Sequence, residues 1–124
     1  MAKLPRIATV TLNPALDQTA QSPNFQVGKV NRVLSEQSDA GGKGVNVASY
    51  LAQCGHQVTA TGILGRGNRE PFETLFDERQ IVDRFVKVPG MTRVNVKIID
   101  KIREQVTDIN FPGIDANAES VEAV

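Results

Sequence analysis

Three glycines within four residues, Gly41-Gly42-Lys43-Gly44, precede a segment with helical spacing and limit the folds open to this chain. In that segment Val47, Leu51 and Cys54 recur every three or four residues, and Gly55 stands where helices commonly end. Glycines allow positive φ and close backbone approach, while a helix N-terminus offers unpaired N–H groups. The lysine within the cluster adds a positive charge. These residues predict a helix packed on a sheet, with an N-terminus able to bind an anion or hydroxyl groups.

The same glycines complete neither of two common nucleotide-binding motifs. A P-loop requires a glycine, four residues and then Gly-Lys-Ser/Thr, whereas Lys43 is followed by Gly44. A dinucleotide-binding turn directly follows the first strand, whereas a long segment intervenes here. A flexible loop ahead of a helix is the alternative that these residues leave open. Asn46, in the first helical turn, can donate and accept hydrogen bonds, which suits a pair of sugar hydroxyls.

Strand-like and helix-like segments alternate in the first part of the chain. The β-branched run from Ile7 to Leu12 ends at Asn13-Pro14, and Val58 to Leu64 is a second strand-like run. A second helix follows, with Pro71 in its first turn and apolar residues on one face. Because strand, helix, strand and helix succeed one another, we predict a parallel sheet with right-handed crossovers.

A period of two residues replaces this pattern later in the chain. Phe85 to Val88, Arg93 to Ile99 and Val106 to Phe111 are predicted antiparallel strands, and Lys29 to Ser38 is a predicted exposed or edge strand. The turn from Lys101 to Glu104 lacks the glycine expected in a tight hairpin. A small second sheet is therefore expected beside the α/β core.

The composition of the chain argues against several classes of binding partner and of cellular location. The chain has 124 residues, no net charge and a pI near 6.6, so no overall basic field attracts nucleic acid or an anionic membrane. No apolar run is long enough to span a bilayer, and Met1 to Arg6 do not resemble a targeting segment. Cys54, the only cysteine, is expected to be buried, and His56, the only histidine, to lie on the surface. We expect a cytoplasmic protein without a histidine- or cysteine-based metal site.

Two further groups of polar residues follow or occupy predicted strands. Asp17 comes after the first strand, where parallel sheets place ligands, and could accept hydrogen bonds from two hydroxyls. An Asx turn or helix cap is the structural alternative. Alternation places Arg93, Asn95 and Lys97 on one strand face. Two cations and an amide suit a phosphate, although a solvated strand face is the alternative.

Four groups of segments occur in the order and spacing of the ribokinase-like (PfkB-type) carbohydrate kinases, and the chain resembles that family over almost its whole length. They are Thr11-Leu12-Asn13-Pro14-Ala15-Leu16-Asp17, Gly41-Gly42-Lys43-Gly44-Val45-Asn46-Val47-Ala48, Gly62-Ile63-Leu64-Gly65, and Thr92-Arg93-Val94-Asn95-Val96-Lys97 followed by Thr107-Asp108-Ile109-Asn110-Phe111-Pro112-Gly113. The last pair resembles the branch of this family that acts on fructose 1-phosphate and tagatose 6-phosphate.

The resemblance implies a fold and a reaction. The fold is a ribokinase-like α/β core with a parallel sheet and a small antiparallel β-sheet lid, whose strands would lie within residues 17–38 and 85–111. The reaction is transfer of the ATP γ-phosphoryl group, with Mg²⁺, to the C6 hydroxyl of fructose 1-phosphate, giving fructose 1,6-bisphosphate. Tagatose 6-phosphate or another sugar is the alternative acceptor. A noncatalytic sugar-phosphate-binding or association module is the alternative of a different class.

The resemblance also assigns roles by position. The residues implied to bind substrate are Asp17, Gly41, Gly42, Lys43, Asn46, Arg93 and Lys97. Asp17 would hold sugar hydroxyls, while Lys43 and Arg93 would meet the phosphate. The family's catalytic aspartate, in a Gly-Ala-Gly-Asp type motif, and its nucleotide pocket lie toward the C-terminus and have no counterpart in this sequence. We therefore expect residues 1–124 to be the N-terminal portion of one kinase domain, without a catalytic residue or metal site of its own, and able to form a homodimer through the lid.

Overall fold

The computed structural model describes residues 5–124, so Met1 to Leu4, where no targeting segment is predicted, lie outside the described residues. Within these described residues, eight strands and three helices follow one another. They are β1 Ile7–Thr11, β2 Ala15–Gln21, β3 Ser35–Gly41, α1 Lys43–Gln53, β4 Val58–Gly65, α2 Glu70–Arg79, β5 Val82–Asp83, β6 Val86–Val88, β7 Val94–Asp100, β8 Gln105–Ile109 and α3 Ala118–Ala123. A short 3₁₀ turn, Arg66–Asn68, separates β4 from α2.

The core sheet consists of β1, β4, β5 and β6, all paired in parallel around β4. Helices α1 and α2 pack against it through side chains that exclude water almost completely, including Val45, Phe72 and Phe76. Phe76 also stacks on Phe85, with ring centroids 5.5 Å apart. The predicted strand, helix, strand and helix order is confirmed, and α2 packs through the predicted face. The predicted face of α1 is wrong in part, because α1 packs through Val45 and Ala48 while Val47 is exposed.

The second sheet has the strand order β3-β2-β7-β8. It is mixed and not purely antiparallel as predicted, because β2 and β7 run parallel while β2–β3 and β7–β8 are antiparallel pairs. A parallel pair needs a long crossover, and here the chain between β2 and β7 passes through β3 and the core elements. The α/β class with an accompanying smaller sheet is confirmed.

Two predicted strands are displaced or reassigned, and one observed strand was not predicted from the sequence pattern. The range Phe85 to Val88 does not belong to the second sheet, because Val86–Val88 pairs in parallel with β4 in the core. The strand predicted from Lys29 to Ser38 begins only at Ser35, and the residues before it form turns and loop. Strand β2, which starts at Ala15, has no helical or clear alternating period and was not predicted as a strand.

The turn between β7 and β8 contains no glycine and is stabilised instead by hydrogen bonds to Asp100. Glu104 adopts the left-handed conformation there, with φ of 53°, although it is not glycine. The Asp100 carboxylate accepts N–H bonds from Ile102 and Arg103 across this turn, and from Asn24 and Phe25 of the loop after β2, at 3.0–3.1 Å. One carboxylate therefore joins two loops at the far end of the second sheet.

These contacts also change the acidity of Asp100, which is only 2% exposed. Burial by itself would raise the pKa of the carboxyl, but the four donated backbone N–H bonds lower the pKa below its ordinary value of 3.8. Asp100 is therefore held as a carboxylate.

The predicted helix ends are confirmed, but the predicted burial of Cys54 is wrong. Gly55 has φ of 92° just beyond α1, and the Asn117 side chain accepts the Ser120 N–H at 2.8 Å to cap α3. Cys54 is exposed and not buried, because it is the residue at which α1 ends. Within residues 5–124, every helix is too short or too polar to cross a lipid bilayer.

Candidate functional site

A groove of about 460 Å³ opens at the carboxyl end of β1, where the chain crosses between the two sheets. We call it the junction groove. Its lining residues come from β1 and the β1–β2 link, from β2, from the start of α1 and from the start of β7. They are Val10, Thr11, Leu12, Asn13, Ala15, Asp17, Gly42, Lys43, Gly44, Asn46, Arg93 and Asn95. The carboxyl end of a parallel strand is where open α/β sheets bind ligands.

The N-terminus of α1 forms one wall of the groove. Gly42 is the N-cap, with φ of 114°, and no side chain of the described residues accepts a hydrogen bond from the first turn. The first intrahelical bond runs from the Asn46 N–H to the Gly42 carbonyl at 2.9 Å. The exposed side chain of Lys43 lies beside these uncapped N–H groups. The wall therefore carries concentrated positive charge, and an anion would be stabilised there.

Glycine is required at two positions because α1 starts against β1. A side chain at Gly44 would collide with the hydroxyl of Thr11 and with the Val10 carbonyl, and one at Gly42 would approach the Thr11 methyl at 2.8 Å. Any larger residue would therefore move the start of α1 away from β1. The glycine cluster predicted as a flexible loop in the alternative reading is instead tightly packed.

Asp17 lies within β2, opposite Asp39 of β3 and Asn95 of β7. The predicted alternatives of an Asx turn or a helix cap are wrong, because the residue sits in the middle of a paired strand. Gly41 lies directly behind its carboxylate, and a methyl group added to Gly41 would overlap Asp17 Oδ2. Gly41 is buried and leaves room for the carboxylate that lines the groove.

Arg93 occupies the opposite wall, one residue before β7 begins. Its guanidinium donates to the carbonyls of Asn13 at 3.2 Å, Pro14 at 3.3 Å and Phe111 at 3.4 Å. Asn95 holds the same chain segment, since its Oδ1 accepts the Phe111 N–H at 3.0 Å. These long bonds join the segments that cross between the sheets and place the guanidinium at the edge of the groove.

A ring of hydrogen bonds below Arg93 fixes the start of β7. Asn68 donates to the Thr92 carbonyl and accepts the Thr92 N–H, both at 2.8 Å. The Thr92 hydroxyl in turn accepts the Gly65 N–H at 2.8 Å. Thr92 is buried and Asn68 nearly so, so these bonds are shielded from water. The end of β4 in the core sheet thus determines where Arg93 enters the second sheet.

The structure brings most of the predicted site residues together. Asp17, Gly42, Lys43, Asn46 and Arg93 line the junction groove. Gly41 lies behind Asp17, as described above. Lys97 is exposed further along β7, opposite Asp108 of β8, and does not line the groove. Its role in binding phosphate stays a prediction.

Seven of the twelve lining residues were not among the predicted site residues, and Asn95 and Thr11 are two of them. Asn95 was placed on the correct strand face, but its hydrogen bond to Phe111 could not be read from the sequence. Thr11 ends β1 with a buried hydroxyl that has no hydrogen-bond partner among the described residues. Its position at the start of the Thr11 to Asp17 segment was the only signal available in the sequence.

The described residues do not form a metal site. Among residues 5–124, no group of three or more His, Cys, Asp and Glu side chains is placed to hold a metal ion. Mg²⁺ in phosphoryl transfer is bound largely through substrate phosphates and one or two carboxylates. No step that runs through a metal is therefore assigned to these residues.

A model of the pfkB family carbohydrate kinases matches residues 7–124. The chain belongs to the pfkB family. Among its relatives, 1-phosphofructokinase of Rhodobacter capsulatus is 53% identical over 119 residues, which cover 96% of this chain and 38% of that protein. 1-Phosphofructokinase of Escherichia coli K12 is 46% identical over 110 residues, or 89% of this chain and 35% of that protein. The chain thus spans little more than a third of the relatives it matches.

Solved structures of the pfkB family agree with this fold. A possible 1-phosphofructokinase from Thermotoga maritima superposes with a TM-score of 0.82 at 38% identity, covering 95% of this chain and 38% of that chain. Phosphofructokinase-2 from Escherichia coli, crystallised in complex with fructose-6-phosphate, superposes with a TM-score of 0.85 at 25% identity, covering 97% and 39%. Both similarities extend over the two sheets together.

Proposed function

We propose that the junction groove binds the phosphosugar substrate of a 1-phosphofructokinase, and that the whole protein transfers the γ-phosphoryl group of ATP to the C6 hydroxyl of fructose 1-phosphate. The product is fructose 1,6-bisphosphate. The observation that carries the proposal is the convergence of Asp17, Lys43, Asn46 and Arg93 on one groove at the carboxyl end of β1. Membership of the pfkB family and the identity to 1-phosphofructokinases support it.

The groove has chemistry suited to both parts of such a substrate. Asp17 has two acceptor oxygens for neighbouring sugar hydroxyls, and Asn46 can donate to one hydroxyl while accepting from another. Lys43 and Arg93 supply positive charge for the phosphate, with the uncapped start of α1 adding N–H donors. Phosphoryl transfer depends mainly on positioning and charge stabilisation. These residues would position the acceptor.

We assign the catalytic base and the nucleotide site to residues outside this sequence. No Gly-Ala-Gly-Asp motif occurs in it, and no metal cluster is formed by the described residues. The proposed reaction uses ATP and Mg²⁺, which other parts of the whole protein would bind. Residues 5–124 alone are expected to be inactive in phosphoryl transfer.

A coupled assay on the full-length protein tests the acceptor. Fructose 1-phosphate should give a higher kcat/KM than fructose 6-phosphate, tagatose 6-phosphate or ribose. A clear preference for tagatose 6-phosphate or another acceptor would reassign the protein within the family. Phosphoryl transfer by the 124-residue chain at the full-length rate would contradict the proposed absence of catalytic machinery.

Binding measurements separate a phosphosugar site from a structural role of its cations. We expect Lys43→Ala and Arg93→Ala to weaken fructose 1-phosphate binding about tenfold, as for loss of a charge-assisted hydrogen bond, and fructose binding much less. Lys101→Ala, in the exposed turn after β7, is the matched control and should change neither affinity. Equal losses for the phosphorylated and unphosphorylated sugars would show that Lys43 and Arg93 only support the fold.

The noncatalytic alternative is a sugar-phosphate sensor or association module. It would bind fructose 1-phosphate in the same groove but show no ATP-dependent turnover in the full-length protein, so the coupled assay also decides this point.

We further propose a homodimer formed through the second sheet. This sheet exposes apolar side chains, including Val106 at 60% and Ile109 at 44% on β8. Sedimentation or light scattering of the full-length protein should give a dimer mass, and Val106→Glu should convert the dimer to monomer. A wild-type monomer mass would refute the proposal. A cytoplasmic location, proposed from the single cysteine of this chain, can be tested by cell fractionation.

A further inference from the structure

A second cavity lies at the opposite end of the core sheet from the junction groove. It has a volume of about 580 Å³ and is formed at the amino ends of β4 and β5 and the last turns of α1 and α2. Four of its lining residues are basic in type, Arg6, His56, Arg79 and Arg84, and none is Asp or Glu. We call it the basic cavity. Its volume lies within the range of small-molecule sites.

Three separate parts of the chain supply the arginines. Arg6 immediately precedes β1, Arg79 is the last residue of α2, and Arg84 lies between β5 and β6. The backbone of Arg84 is held at both ends, since its N–H donates to the Ala60 carbonyl and its carbonyl accepts the Thr61 hydroxyl, both at 2.9 Å. The parallel topology therefore brings Arg6 together with Arg79 and Arg84, which lie much later in the sequence.

Hydrogen bonding to the last carbonyls of the two helices does not account for the arginines. The last carbonyls of α1 already accept backbone N–H bonds, those of Tyr50 and Leu51 from Cys54 and that of Ala52 from Gly55. At the end of α2, the carbonyls of Phe76 and Asp77 accept backbone N–H bonds in the same way. Within the described part of the chain, no guanidinium of the basic cavity forms an ion pair or side-chain hydrogen bond. Their charges meet no protein partner there.

His56 adds a hydrogen-bond donor to the same cavity. Its Nδ1 is buried and has no hydrogen-bond partner among residues 5–124, and the residue lines the basic cavity. A proton on Nδ1 would be a buried, unsatisfied donor, so the favoured neutral ring carries its proton on Nε2. The Nε2–H group is then free to donate to a ligand in the basic cavity.

We propose that the basic cavity binds a small anion carrying two or more phosphoryl charges. The chain has no net charge, so this local excess of guanidinium groups is not part of a general basic surface. Guanidinium groups bind phosphate oxygens through paired N–H donors, and three of them from different segments can surround a diphosphate group. The site is independent of the junction groove.

Titration of the full-length protein with inorganic pyrophosphate tests this site by NMR of the His56 ring. The His56 signal is assigned by its loss in His56→Gln. It should shift saturably with pyrophosphate, and Arg79→Gln or Arg84→Gln should each raise the apparent Kd about fivefold, through loss of charge-assisted hydrogen bonds at a partly solvated site. Arg103→Gln, an exposed arginine in the turn after β7, is the matched control and should leave the Kd unchanged.

Two further measurements separate a loss of pyrophosphate binding in the basic cavity from misfolding and from loss of sugar-phosphate binding in the junction groove. Thermal unfolding of each variant shows whether it is folded before its Kd is interpreted. Lys43→Ala should leave the His56 titration unchanged even if it abolishes sugar-phosphate binding, so failure of the proposed kinase substrate site does not affect this test. Absence of a saturable His56 shift, or equal weakening by Arg84→Gln and Arg103→Gln, would overturn the proposal.

Discussion

The two sheets of this protein are stabilised in different ways. The core sheet is parallel and packs against α1 and α2 through fully buried side chains such as Phe72 and Leu64. In the second sheet, all of β8 and most of β3 are exposed, and Asp100 is the buried residue that joins its loops. Side-chain packing therefore determines the core, whereas backbone pairing and a few polar side chains determine the second sheet. The junction groove lies where these two differently stabilised sheets meet.

Phe72→Ala should have the largest effect on stability. Phe72 is 0% exposed in the core cluster, and its truncation would leave a cavity and lower the free energy of unfolding by about 3–5 kcal/mol. Denaturant unfolding measures the change.

The matched control in the second sheet is Ser38→Ala. Its side chain is exposed on β3, and we expect a loss of less than about 0.5 kcal/mol. Comparable losses for Phe72→Ala and Ser38→Ala would contradict the contrast between the sheets.

Gly41→Ala should have the next largest effect, and on binding more than on stability. Gly41 needs no unusual φ, so alanine fits the backbone, but its methyl group would displace the Asp17 carboxylate. We expect KM for fructose 1-phosphate in the full-length protein to rise about tenfold, as for weakened hydrogen bonds to a charged group.

A double-mutant cycle isolates this mechanism. If Gly41→Ala acts only by moving Asp17, adding it to Asp17→Ala should cause no further rise in KM. Additive effects would show that Gly41 contributes to the groove in another way.

Asp100→Asn tests the polar attachment of the second sheet. Phe25 donates to Oδ2 alone, whereas the other three N–H groups share Oδ1, so an amide in the same place can keep only one of these sets. We expect faster hydrogen exchange at Phe25 with a smaller loss of global stability than for Phe72→Ala. Slow exchange at Phe25 in this variant would argue against the attachment.

The pH dependence of the same contact has a defined sign. The folded pKa of Asp100 lies below its ordinary value of 3.8. The contribution of Asp100 to the stability of the folded protein is therefore present above pH 3.8 and is lost as the pH falls through the lower folded pKa. The wild-type protein should lose protection at Phe25 over this acidic range, and Asp100→Asn should not show this loss. Asp108→Asn, an exposed residue of β8, is the control and should behave as wild type.

The core could be predicted from the sequence because its signals are local. The period of apolar residues in α1 and α2, the glycines before α1 and the proline after β1 each indicate their own element. The second sheet could not be predicted as well, since β2 pairs in parallel with β7 and this register depends on the whole chain path. Similarly, Asp17 and Arg93 were found as candidates, but the hydrogen bonds of Arg93 to Asn13 and Pro14 became visible only in the structure.

Lys97→Ala should have the smallest effect, and it tests how far the site extends along β7. Arg93 and Lys97 are four residues apart on the same strand face, yet only Arg93 lies at the groove, while Lys97 is exposed opposite Asp108. An exposed lysine near an opposite charge contributes at most about 1 kcal/mol, so Kd for fructose 1-phosphate should change less than about fivefold. A loss as large as that of Arg93→Ala would mean that β7 approaches the substrate when it binds, and that the second sheet forms part of the phosphate site.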